Sequence, residues 1–462
     1  DRFLYRNYMK INRRKFITGA IATIGSLGLP SYSYSSNPDV IVIGAGAAGL
    51  AATSHLIENG YSVTCIEANN RIGGRALTNN SIFGVPYDVG AHWIQNSKDN
   101  PFREYGEQVK DEGFDVYKPP TKWGEDRYVV YDGTQNVTGT KSEDALWKLY
   151  EEIENNMYNA ALAGKDIPAS DVVVGEDSEW FETAHQALGA YEGAKDYKDI
   201  SCVDWANYPP YSISWYCKQG YGALLSHRWK HLPVQFNTTV ESVDWNNKNI
   251  KIATSKGDIV AKKCIITVSN GILSSDQINF LPNLPAEKME SIHRISMGVY
   301  NHVAMTFHPD FFKEIGIRTI DTYLYYKIKG SNPSPRGMAG LMNISGSNLC
   351  YFDTGGDFAI ELEKEGSEAQ IDFTTSELKS LFGSKIDRYL KKSHATQWGS
   401  NKYTLGSYAA AEPGYAHLRE TIRVPLNEKL YFAGEATAYE YASVSGAHRS
   451  GIRAAKEVIG SM

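Results

Sequence analysis

The sequence predicts an α/β protein of two interleaved domains, one of them built on a βαβ unit, and three observations predict it. The first is Asp39-Val-Ile-Val-Ile-Gly-Ala-Gly-Ala-Ala-Gly-Leu50, an apolar run of strand length that enters a G-x-G-x-x-G turn. The second is Tyr61–Glu67, a further strand-like run that closes on an acid. The third lies almost at the other end of the 462-residue chain, where Leu430-Tyr-Phe-Ala-Gly-Glu-Ala-Thr437 reads as another short apolar strand ending in Gly434-Glu435, followed by a helical tail over 446–459. Strand, tight turn, helix and second strand together form the context in which a glycine motif reads as a dinucleotide site.

Each residue of that unit has a physical reason. Gly44 permits the sharp turn, Gly46 lets the backbone approach a pyrophosphate, and Gly49 lets the helix pack closely on the strand. Ala48 stands in the first turn of the predicted 47–59 helix, whose N-terminus presents free N–H groups and a positive dipole end to phosphate. Glu67 is placed to accept hydrogen bonds from ribose hydroxyls, and its charge disfavours a 2′-phosphate. The return of the chain to a second Gly-Glu strand near residue 434 predicts that both ends grip one nucleotide.

The rest of the chain reads more coarsely. Helical spacing covers 141–165, 178–195 and 358–382; residues 234–268 alternate like a β-meander, and 297–307 and 320–329 read as strands. The length calls for more than one core. The chain is acidic, with a formal net charge of -6, which argues against nucleic-acid binding. Five cysteines form neither C-x-x-C nor zinc spacing, so no metal site is expected; a Cys202–Cys217 disulfide is left open by the spacing. Asn12-Arg-Arg-Lys-Phe-Ile17 followed by a short glycine-containing apolar stretch is similar to a twin-arginine export signal, which makes residues 1–37 a leader, the export machinery a partner and the periplasm the destination, with a membrane tether if the leader is not cleaved.

Beyond Glu67 comes Arg71-Ile-Gly73-Gly74-Arg75, and here the chain resembles the flavin-containing amine oxidases, whose dinucleotide fold continues into an x-R-x-G-G-R segment. The resemblance covers roughly 38–95, 218–310 and 396–460. It implies noncovalent FAD held by Gly44, Gly46, Ala48, Gly49 and Glu67, with Arg75 on the diphosphate. It also implies Gly90, Ala91 and Trp93 beside the ring, Val240 bracketing adenine, Gly434 and Glu435 at the ribityl chain, and Val444 nearby. The division it implies is an FAD domain of 38–95, 218–295 and 396–462 and a substrate domain of 96–217 and 296–395.

The implied chemistry is hydride transfer from an amine α-carbon to flavin, giving an imine and then an aldehyde, with hydrogen peroxide if oxygen is the acceptor. The electron sink is the cofactor, so the protein supplies position, a neutral amine and exclusion of water. Trp398 and Tyr408, in Trp398-Gly-Ser-Asn-Lys-Tyr-Thr-Leu-Gly-Ser-Tyr408, resemble the aromatic wall of polyamine-type oxidases. Ser407 stands where a covalent thioether would need cysteine. Ser443 puts a small residue where monoamine oxidases carry a cage tyrosine.

Two departures matter. His302 replaces the lysine that the family holds near the flavin, which leaves oxygen or another acceptor open and makes His302 a candidate base. Gln95 replaces an acid or histidine expected at the distal amine, with Asp204 as a substitute. His92 is a ring-side candidate beside Trp93. An L-amino-acid oxidase would need an arginine fork near Trp93, and none is present. The alternatives carried are an amine dehydrogenase, an amino-acid oxidase and a non-catalytic flavin-binding protein.

Overall fold

Four apolar residues, Val40–Ile43, form the middle strand of a five-stranded parallel sheet in the computed structural model, which describes residues 37–96, 98–119, 127–209, 213–330 and 334–462. The arginine pair and apolar stretch of the leader lie outside the described residues. The sheet runs Leu430–Phe432, Lys263–Ile266, Val40–Ile43, Val63–Ile66, Val234–Gln235. Every neighbouring pair is parallel, so the first and last segments of the chain share one sheet. Alternate residues face opposite sides. Val40 and Val42 pack with the helices Ala47–Glu58 and Val444–Gly460, while Ile41 and Ile43 pack beneath a four-stranded sheet.

That second sheet corrects the expected meander. Only Val240–Asp244, Ile250–Thr254 and Gly257–Ala261 form antiparallel hairpins, with Asn279–Leu281 added in parallel. Val234–Gln235 and Lys263–Ile266 leave the meander for the parallel sheet. Sequence alternation marks a strand but does not choose its partner.

A seven-stranded sheet carries the opposite wall of the molecule, in the order Leu390–Ala395, Tyr300–Phe307, Leu349–Gly355, Ala339–Met342, Thr322–Tyr326, Tyr128–Asp132, Gln135–Asn136. Its pleat sorts the side chains. Ala304, Tyr323, Tyr325 and Tyr351 join one core cluster, and Val303, Met305, Leu324 and Phe352 join the other. The residues expected as one strand over 297–307 are two, broken at Val299, because Ile295–Gly298 pairs instead with Tyr408–Ala411.

The helical expectation over 178–195 resolves into Phe181–His185 followed by a π-helical run, Gln186–Gly193. Such wider turns recur at functional sites. Cys202 and Cys217 are both free, buried thiols, so the disulfide left open by the sequence is not formed. No helix among the described residues is long and apolar enough to cross a membrane, and no group of side chains among them could hold a metal ion.

Candidate active site

The three sheets enclose a cavity of about 1030 Å³, at the upper end of the usual ~300–1,000 Å³ for small-molecule sites. One end is made by backbone. Gly44 takes φ +102°, a conformation that favours glycine, and a Cβ there would stand 2.7 Å from Thr267 Oγ1. Gly46 faces open space, with nothing within 4 Å of where its Cβ would be, at the N-terminus of the 47–58 helix. Gly73 and Gly74, both at positive φ, abut this turn: Gly73 N–H donates to Ala45 O at 2.8 Å. The Glu67 carboxylate accepts from the N–H of Ala45 (2.7 Å) and of Asn69 (2.8 Å), which fixes it at the wall and leaves further lone pairs for ligand hydroxyls.

Gly434 and Glu435 meet this turn from the far end of the sequence and line the same cavity. Glu435 is buried, and its carboxylate accepts from Arg75 Nη1 at 2.9 Å and from the N–H of Ala409 (3.2 Å) and Ala442 (3.0 Å). Protein donors therefore hold the acid that was expected to hold the ribityl chain. It fixes Arg75, whose Nη1 also reaches Ser407 O at 2.7 Å. Ala48, Val240 and Val444 line the cavity as well.

Gly49 does not. Its Cβ would fall 1.9 Å from Gly44 O, so its role is the close approach of helix to turn rather than ligand contact. Gly49→Val is expected to cost on the order of 3 kcal/mol or more through this overlap and to give largely insoluble, colourless protein; soluble protein with wild-type cofactor content would contradict it.

The other end is aromatic. Trp398 is buried, donates from Nε1 to Val89 O at 3.0 Å and packs against Gly90, where a Cβ would overlap Arg75 O. Tyr408 donates to the carbonyls of Tyr191 and Glu192, both at 3.3 Å, and lies 6.0 Å from the Tyr300 ring. Ala91, Trp93, Gln95 and Ser443 also reach the cavity. Trp93 Nε1 donates to Tyr323, whereas the Ser443 hydroxyl is committed as the N-cap of the 444–460 helix. His92 lies at the wall stacked on Tyr216, its Nδ1 2.9 Å from Asp88, and its Nε2 has no protein partner.

His302 is buried at the cavity wall, stacked on Tyr351 at 4.6 Å. Burial, with His394 and His92 nearby, pushes its imidazole down to about 3, so it is neutral at pH 7. Asp204, the suggested substitute for a distal acid, is spent. Arg419 grips it with Nε and Nη2, and Ala411 N–H donates to it at 2.8 Å.

Sequence reasoning missed Glu192, Glu154 and Tyr150, which the π-helical run and the 141–162 helix bring to the cavity. Tyr150 donates to Glu192 at 2.7 Å. Glu192 is exposed to the cavity, and the protein around the cavity, which limits its hydration, pushes its carboxyl up to about 7; burial raises the half-buried Glu154 too. It also missed Tyr300, Tyr87, His394 and Asp353. An acid inside the apolar run Leu349–Gly355 was the available signal for Asp353.

A glycine turn at a helix N-terminus, an acid at the end of the second strand and an elongated cavity running into an aromatic chamber define a dinucleotide-cofactor oxidoreductase. The chain matches the model of the flavin-containing amine oxidoreductases over residues 204–459 and that of an NAD(P)-binding Rossmann-like domain over 42–109. It belongs to the flavin-containing amine oxidoreductase family, and its cofactor is FAD. Among its relatives, Polyamine oxidase 3 of Oryza sativa subsp. japonica is 28% identical over 92% of this chain and 89% of its own length. Lysine-specific histone demethylase 1 homolog 1 of the same organism is 26% identical over 91% of this chain and 52% of its own. A solved putrescine oxidase bound to putrescine shares the fold, with a TM-score of 0.72 at 19% identity, covering 92% of this chain and 99% of that one.

The residues present fit FAD: the open face of Gly46, the fixed carboxylate of Glu67 and the anchored Arg75 all border one continuous cavity. When bound, FAD supplies the electron sink for amine oxidation. The chain itself supplies aromatic walls that desolvate the amine, which favours its neutral, reactive form.

Proposed function

We propose that this chain oxidises a di- or polyamine, with one amino group in the aromatic chamber and a distal ammonium at Glu192. The observation that carries the reading is the pair of carboxyls of Glu192 and Glu154 at the cavity wall, opposite in sign to such a substrate when ionised, with Tyr150 holding Glu192. The names of the polyamine oxidase relatives and of the putrescine oxidase fold neighbour support it. The site roles of Gly44, Gly46, Ala48, Glu67, Arg75, Val240, Gly434 and Val444 toward FAD belong to the same proposal. So do noncovalent attachment, the division into an FAD domain and a substrate domain, oxygen as acceptor with hydrogen peroxide as product, and export through the leader.

A carboxyl raised to about 7 by desolvation is partly protonated at neutral pH and becomes an effective cation site as pH rises through that value. KM for a diamine is therefore expected to rise as pH falls below about 7. Glu192→Gln should raise KM for a diamine on the order of tenfold, the size of one charged hydrogen bond, while changing KM for a monoamine of equal chain length little. Equal changes for both amines would remove Glu192 from distal recognition, and hydrogen peroxide formed with the amine tests the acceptor.

A further inference from the structure

His302 and Asp353 stand directly opposite each other on adjacent strands, with Nδ1 4.0 Å from Oδ1. On the other side of the ring, Nε2 lies 3.0 Å from the Tyr87 hydroxyl, and that hydroxyl lies 3.2 Å from Nδ1 of His394. His394 belongs to the edge strand of the seven-stranded sheet and is partly exposed. Asp353 is completely buried, and the hydroxyl of its diagonal neighbour Tyr300, a cavity-lining residue, is beside it. A row of proton-bearing groups therefore leads from the cavity wall to the outside of the sheet.

We propose that Tyr300, Asp353, His302, Tyr87 and His394 form a proton relay connecting the amine cavity with solvent at the sheet edge. The relay rests on the reading of this chain as an amine oxidase, whose substrate arrives as an ammonium and must lose a proton.

The step balances. With Asp353 protonated, its O–H passes to His302 Nδ1, the Nε2 proton of His302 passes to Tyr87, the Tyr87 proton passes to His394 Nδ1, and the Nε2 proton of His394 leaves to water. Both rings end neutral in the opposite tautomer, and Asp353 ends as a carboxylate. It is reloaded through Tyr300, whose proton is replaced from the ammonium, so one proton crosses and no electrons move. Neither Asp353 oxygen has a hydrogen-bond partner in the resting geometry, so its contacts with Tyr300 and, at 4.0 Å, with His302 must both close for a proton to pass, whereas the remaining links are within hydrogen-bond length.

The surroundings favour proton passage over charge storage. Burial pushes the His302 imidazole down and the Asp353 carboxyl up to about 8, so both are neutral near pH 7. The other titratable groups facing the row are Tyr351, stacked on His302, the Asp88–His92 pair beside Tyr87, and Tyr191, Tyr323 and Tyr408 around Tyr300.

The test uses the holoenzyme in weak buffer with a pH-indicator dye, mixed anaerobically with whichever of a panel of mono-, di- and polyamines reduces it. His394→Gln and Tyr87→Phe are each expected to slow proton release on the order of tenfold or more, with release by His394→Gln restored by added imidazole. Unchanged release, or slowing that imidazole does not relieve, overturns the relay. Nitrogen NMR of the two imidazoles tests it without turnover: His394→Gln should shift the tautomer balance of His302, and Tyr87→Phe should abolish the coupling. A His302 spectrum indifferent to both variants refutes the relay even if no amine reacts, whereas failure of every amine with the coupling intact refutes only the amine reading.

Discussion

Asp353→Asn is expected to stabilise the protein, increasingly so as pH rises. The carboxyl is completely buried on Leu349–Gly355 and held neutral, its ionisation raised from the ordinary 3.8 to about 8 by burial. The sign follows from proton binding. Between about pH 4 and 8 the unfolded chain has released this proton and the folded chain has kept it, so stability falls across that window and levels off above it. At pH 7 the accumulated cost is about 4 kcal/mol. Asparagine resembles the neutral acid in shape and removes that cost, so the variant should match wild type near pH 4 and exceed it by several degrees in Tm at pH 8. A variant equal to or below wild type at pH 8 would show that Asp353 is not held neutral. A carboxyl kept where it destabilises the fold is the pattern expected of a group retained for function.

Arg75→Leu has the opposite expected effect. It strips the buried Glu435 carboxylate of its ion-pair partner, at 2.9 Å, and leaves a charge supported by the backbone N–H groups of Ala409 and Ala442 and by the more distant Arg419. Breaking one side of a buried pair costs roughly 3–5 kcal/mol. The lost side chain also reaches Ser407 O, so the strand start at Tyr408 loses an anchor. We expect a fall in Tm together with loss of bound FAD on gel filtration. Retention of stoichiometric FAD with unchanged Tm would contradict the assignment of Arg75 as the link between the two ends of the chain.

Most of what the sequence revealed was local, the meeting of Gly434-Glu435 with the Gly44 turn being the exception. The glycine turn, the helix from Ala47 and the acid at Glu67 each follow from spacing within a few residues, and the structure places them together. Trp398, Tyr408 and His302 were legible only through family resemblance, because nothing in their own neighbourhoods brings them to one cavity. The strand Leu349–Gly355 escaped because it is buried on both faces and so shows no alternation. With it went Asp353, whose meaning lies in its register with His302. Glu192 was hidden by the π-helical run, which turns at a different period from the helix expected there. The meander failed for a related reason: alternation over 234–268 marks strands, but their distribution between two sheets is a long-range choice.

Gly44, Arg75 and Glu435 converge on one cavity, and we propose that together they hold one FAD beside an amine chamber. Anaerobic titration of the purified protein with a panel of mono-, di- and polyamines, followed by visible flavin absorbance, tests it most directly. The expected result is a yellow protein with one FAD per chain that a di- or polyamine bleaches. A colourless protein that takes up no flavin, or a yellow one that no amine bleaches, would contradict it.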